Sequence, residues 1–175
     1  MKVIEIGLPF IGEKEMPNNG GFYNEELQKM MTDAGHRKGE AWCCYLMEAL
    51  FVKAYPERAS TFRLFFSASC VQTFRNMRDG VKTKNGLVKS PFTISQKPVV
   101  GALVLWQKYK DNKPTGLGHA GLCYEATTET IFRTLEGNTN RDGSREGTMI
   151  LPKVRTTAWQ QNGLNVMGFI IISEQ

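Results

Sequence analysis

Apolar and polar positions divide the chain into a helical first half and a stranded second half. From Trp42 to Leu50 apolar residues fall on nearly every face, which predicts an enclosed helix over 40–55, ended by Pro56. Upstream, Asn24-Glu25-Glu26-Leu27-Gln28-Lys29-Met30-Met31 predicts a short helix capped by Asn24, with Leu27, Met30 and Met31 as its apolar stripe. Phe62, Phe65 and Phe66, followed by Ser69-Cys70-Val71-Gln72-Thr73-Phe74, predict further helix across 57–79, with Gly80 as the stop. Residues 1–22 are dense in turn formers and predict an irregular lead-in. The polar stretch 81–97, bounded by Pro98, predicts a long loop.

After Pro98 the pattern changes. Residues 99–106 form a continuous apolar strand, 118–125 a second, and 130–136 alternates as a half-buried strand does. A Gly/Asn loop follows over 137–147, and the segments 148–154 and 166–173 complete the set. Helices first and strands afterwards, joined by loops too short for parallel crossovers, predict an α+β fold with an antiparallel sheet of about five strands.

The chain has 175 residues, 41% apolar and 22% charged, which suits one domain with a sizeable core. No apolar run approaches the ~20 residues of a membrane span, and the short N-terminal apolar stretch carries Glu5, so neither a span nor a signal peptide is expected. The net charge of +5 would help approach to a polyanion, but no basic run exceeds Arg37-Lys38, so no specific nucleic-acid partner is expected. The four cysteines, Cys43, Cys44, Cys70 and Cys123, include no C-x-x-C pair, and His36 and His119 are the only histidines. Neither a metal nor another cofactor is therefore expected, and free thiols are favoured over disulfides.

Three segments carry chemistry. Cys43 lies near the start of the predicted central helix, where unpaired N–H groups and the positive dipole end favour thiolate. His119 opens one strand; Glu136 ends the next, with Asn138 two residues later. If those strands are neighbours, Glu136 or Asn138 can hold one imidazole nitrogen while the other takes the thiol proton, a nucleophile–base–orienter arrangement. Gly118 and Gly121 would let a helix pack close to the histidine strand.

These stretches resemble a known family. Glu40-Ala41-Trp42-Cys43-Cys44-Tyr45-Leu46 resembles the Trp-Cys opening of CHAP-type and NlpC-like, papain-fold cell-wall hydrolases. Pro98-Val99-Val100-Gly101-Ala102-Leu103-Val104 is similar to the family's first core strand, and Gly118-His119-Ala120-Gly121-Leu122 to its histidine strand. Leu135-Glu136-Gly137-Asn138-Thr139-Asn140, with Gly143-Ser144, is similar to its Glu-Gly-Asn segment. The matches fall in family order over most of the chain. The resemblance implies a papain-like fold and a cysteine peptidase or amidase acting on peptidoglycan without a metal. Cys43 would be the nucleophile, His119 the base, Glu136 its orienter and Asn138 an auxiliary polar group. Loops 81–97 and 137–147 would wall the groove. Cys44 stands where the family more often has a small residue, and region 56–97 exceeds that of compact members, implying a remodelled groove.

Each residue also has a plainer reading. Cys43 alone fits a buried structural thiol, His119 a satisfied histidine, Glu136 a strand-end charge and Asn138 a turn former. Cys44, Cys70 and Cys123 read as packing residues, His36 as solvated, and Trp42 and Trp106 as core aromatics or groove walls. The ordered set favours a peptidoglycan hydrolase, for example a phage lysin made in the cytoplasm and released to the wall or carried in a virion, acting as a monomer. The alternative is a catalytically silent virion or wall-binding protein that keeps the fold.

Overall fold

The chain folds in the order its pattern announces. The computed structural model describes residues 1–140 and 147–172. Five α-helices precede every strand: α1 (Lys2–Gly7), α2 (Glu25–Asp33), α3 (Cys43–Ala54), α4 (Ala59–Phe65) and α5 (Cys70–Asp79). A hairpin of β1 (Val81–Thr83) and β2 (Gly86–Val88) follows. Six strands then build one antiparallel sheet: β3 (Thr93–Ser95), β4 (Leu103–Lys110), β5 (Lys113–Ala126), β6 (Ile131–Thr139), β7 (Met149–Thr156) and β8 (Gly163–Ile171), in the order β3-β8-β4-β5-β6-β7. The α+β class and the antiparallel pairing are as expected; the sheet has six strands rather than about five. Among the described residues no helix is long and apolar enough to cross a membrane.

The sheet has a core on each face. Leu103, Leu105, Ala120, Leu122, Leu135 and Ile170 join the helices in one cluster, while Ala102, Val104, Trp106, Cys123, Phe132 and Phe169 form a second. Both faces of β4 are thus buried over Leu103–Trp106, which explains the unbroken apolar run there. Helix α3 lies between α1, α2, α4 and the sheet, with nine of its residues buried, so the all-round apolar pattern means enclosure, as expected.

Four boundaries differ from expectation. The lead-in 1–22 is not wholly irregular, because Lys2–Gly7 is a helix that packs on α3 and buries Val3. The stretch 81–97 is not one loop but the β1–β2 hairpin and the edge strand β3. The helix expected over 57–79 breaks at 66–69. There the Ser69 hydroxyl caps α5 by accepting the Gln72 N–H at 3.3 Å, and Thr73 Oγ1 both accepts from Ser67 N–H and donates to Ser67 C=O. Finally, α3 begins at Cys43 rather than at 40, so the thiol is on its first helical residue.

Candidate active site

The start of α3 is fixed by a strand. Trp42, the residue before the helix, is buried; its ring meets Phe22 edge-on, and its indole N–H donates to Glu15 Oε2 at 3.1 Å. Its backbone N–H donates to Asn138 Oδ1 at 2.9 Å. Asn138 sits at the end of β6 with φ 55°, the left-handed region that asparagine tolerates better than most residues. No side chain caps the first turn of α3, so its leading amides stay free of a cap beside the Cys43 sulfur.

His119 and Glu136 come together through the β4–β5–β6 register. His119 pairs with Trp106 of β4, and the ring centroids of the two side chains are 5.8 Å apart. Leu122 pairs with Leu135, so Glu136 falls opposite Gly121 rather than opposite His119. The missing side chain at Gly121 makes the room: a Cβ there would stand 2.9 Å from Glu136 Cγ and 3.2 Å from the Trp106 ring. Glu136 Oε2 accepts from His119 Nε2 at 2.9 Å, which leaves Nδ1 free of the carboxylate, and Cys43 lines the same cleft as the ring. The helix that closes on Gly118 is α5 rather than α3; a Cβ there would lie 3.0 Å from that of Cys70.

Glu136 is wholly buried and saturated with donors. Arg155 of β7 grips it bidentately, Nε to Oε1 at 2.7 Å and Nη2 to Oε2 at 2.5 Å, and Thr134 Oγ1 donates to Oε1 at 2.6 Å. Arg155 in turn stacks over Trp106, its guanidinium carbon 5.6 Å from the ring centroid. Burial pushes the Glu136 carboxyl up, but the bonds from Arg155 and His119 overcome it and hold the group at about 2. Burial also pulls His119 down, and the Cys43 and Glu136 bonds outweigh it, raising the ring to about 10. Hydrogen bonds from Cys44 and Cys70, joined by that of His119, bring Cys43 well below its ordinary range despite its burial. These shifts favour a thiolate at Cys43 and a protonated His119 backed by the Glu136 carboxylate.

A pH dependence follows. Because the folded-state pKa of Glu136 is depressed, its contribution is complete above the unfolded value of 4.5 and disappears as pH falls through about 2. Wild-type protein is expected to lose about 3 kcal/mol from this group across that window, seen as a falling urea midpoint, while Glu136→Gln flattens the same interval.

Cys43, His119, Trp106, Asn138 and Arg155 line one cleft of about 500 Å³. Asn138 does not hold the imidazole; it anchors the start of α3 from the cleft wall. The groove walls are partly those expected. The stretch 81–97 contributes nothing to the cleft lining; of 137–147, Asn138 and Thr139 line it from the end of β6, and 141–146 lie outside the described residues. β7 adds Lys153, Val154 and Thr156, the β4–β5 hairpin Lys108 and Leu117, and the start of β8 Gly163 and Leu164. Cys123 packs beneath the site in the second core cluster, and His36, rather than being solvated, is half-buried against Phe22 and Tyr45. The pattern did not announce Arg155 and Thr134. Thr134 lay within reach of the strand reading, since it shares Glu136's side of β6 at a spacing of two.

No protein-family model, no curated protein and no solved structure matches the chain. Its class is therefore defined by the α+β fold and this site.

Proposed function

We propose that the chain is a CHAP-like cysteine hydrolase of papain-like fold that cleaves a peptide or amide bond of peptidoglycan, in the manner of a phage lysin. One observation carries the reading: His119, bonded to the buried Glu136 carboxylate behind it, lines the same cleft as Cys43, the three coming from distant segments. A buried ion array that served only packing would have no reason to aim its sulfur into a groove. The cleft's described lining adds Lys108, Lys153 and Arg155 and no carboxylate, which suits a substrate bearing free carboxylates, as wall peptides do.

The chemistry follows from the geometry. The Cys43 thiolate attacks the carbonyl carbon, and the amides of the first turn of α3 receive the developing oxyanion. His119 gives its Nδ1 proton to the leaving amine and then takes one from water, which releases the acyl group from sulfur. Glu136 keeps the ring oriented and its charge stabilised throughout, without exchanging a proton.

Incubation with purified sacculi is expected to lower turbidity and release new amine termini, and Cys43→Ala to reduce the rate by at least about a thousandfold. Equal release by wild type and variant would sink the hydrolase. Mass spectrometry of defined muropeptides then separates endopeptidase from amidase.

A further inference from the structure

The site contains more sulfur than hydrolysis uses. Cys43 is the first residue of α3 and Cys70 the first residue of α5, and the two helix starts face each other. Their Sγ atoms are 3.5 Å apart, and Cys44 Sγ lies 3.0 Å from Cys70 Sγ on the other side. All three thiols are buried and free of disulfides. Gly118 gives Cys70 its place, since a side chain on that strand residue would press on the Cys70 Cβ. A disulfide needs about 2.05 Å between sulfurs, so Cys43 and Cys70 need approach by only about 1.5 Å, within the reach of a side-chain rotation.

The sulfurs differ in access and ionisation. Cys43 lines the open cleft, whereas neither Cys44 nor Cys70 does. Cys43 is also the one held toward thiolate; Cys44 and Cys70 are pushed up by their bonds to Cys43 and by burial. A thiol on a cleft wall, favoured toward thiolate and beside a second thiol, is the arrangement of a redox-sensing pair.

We infer that Cys70 is the resolving thiol of Cys43, so that a peroxide converts the pair into a Cys43–Cys70 disulfide that a dithiol reductant reopens. The Cys43 thiolate attacks one peroxide oxygen, the O–O bond breaks, and a sulfenic acid and hydroxide form; the hydroxide takes the proton that Cys43 had given to His119 and leaves as water. Cys70 sulfur then attacks the Cys43 sulfur, the S–O bond breaks, and the thiol proton leaves with the hydroxide as water. Two thiols and one hydrogen peroxide become one disulfide and two waters. The pair is thereby protected from further oxidation of Cys43, and the nucleophile is withdrawn until reduced. The disulfide stands on geometry alone; its effect on catalysis rests on the hydrolase reading.

The test uses the full chain treated with a small excess of hydrogen peroxide and then alkylated. Wild type is expected to lose about 2 Da and two alkylatable thiols, with the peptide bearing residue 43 joined to that bearing residue 70, all reversed by dithiothreitol. Cys44→Ala is expected to keep the cross-link. Cys70→Ser is expected to gain about 32 Da at Cys43 instead, beyond recovery by the reductant. Sacculus hydrolysis, each protein normalised to its untreated rate, is expected to fall at least tenfold in wild type and to return on reduction. Loss of the cross-link in Cys44→Ala, or its survival in Cys43→Ala, would assign the disulfide to Cys44 and overturn the inference. So would direct over-oxidation of wild-type Cys43; this and the cross-link assignment need no variant at position 70. A protein that cross-links as expected but never cleaves sacculi would refute the hydrolase and leave the thiol pair standing.

Discussion

Arg155→Met is expected to destabilise the protein by about 3 kcal/mol, measured as a drop in the urea midpoint at neutral pH. The wild-type pair is a wholly buried carboxylate held by a bidentate guanidinium that is itself only 28% exposed. Removing the cation leaves Glu136 charged in a site it can no longer share with water, and breaking such a pair costs about 3–5 kcal/mol. The lower end applies because Thr134 and His119 continue to donate. The double variant Arg155→Met/Glu136→Leu separates the structural contribution from the functional one. Replacing both charges by apolar groups of similar bulk is expected to recover most of the lost stability, since the desolvation cost disappears with the charges. Under the proposed hydrolase, sacculus cleavage is not expected to recover, because His119 then has no carboxylate partner. A single variant within about 0.5 kcal/mol of wild type would show that Glu136 does not depend on Arg155.

His119→Ala is expected to slow iodoacetamide labelling of Cys43 at pH 6 by about tenfold to a hundredfold, with little change above pH 9. The imidazolium is the full positive charge bonded to the sulfur; the neighbouring thiols are weak donors without charge. Deprived of that charge, the Cys43 thiol moves back up toward its ordinary range, against the lowering by Cys44 and Cys70 that remains, and less of it is thiolate at pH 6. The greater intrinsic nucleophilicity of a more basic sulfur offsets part of the loss, which sets the lower bound. Site-resolved mass spectrometry, with Cys43→Ala as the blank, reads the rate at this sulfur alone. An unchanged pH profile would mean that the helix start, not the histidine, ionises the cysteine.

The parts of this molecule that sequence reveals are those with a local cause. Asn24 caps α2 because its side chain can reach the Leu27 N–H three residues on, and this was readable from residue type alone. The enclosed helix and the apolar strands were equally visible, as was the sequence-distant pair His119 and Glu136, whose bond the register of β5 and β6 explains. The break between α4 and α5 had a signature that went unread: Ser69-Cys70-Val71-Gln72 has the Ser-x-x-Gln spacing of a capping box, and the Phe-rich periodicity on either side masked it. The two-residue turn Asp111-Asn112, both with positive φ, joins β4 to β5 and was likewise legible in principle. Arg155 was not. It pairs in register with Phe132 and reaches along the sheet to Glu136, so no spacing within one segment foretells the contact.

Asn138 links two halves of the machine that are ninety-six positions apart in sequence. The strand that bears Glu136 ends by grasping the residue that precedes Cys43, so the start of α3 is tied to the sheet by a single side-chain amide. Where the thiol sits is thereby coupled to the strand that carries the carboxylate, and a changed amide at position 138 releases that coupling.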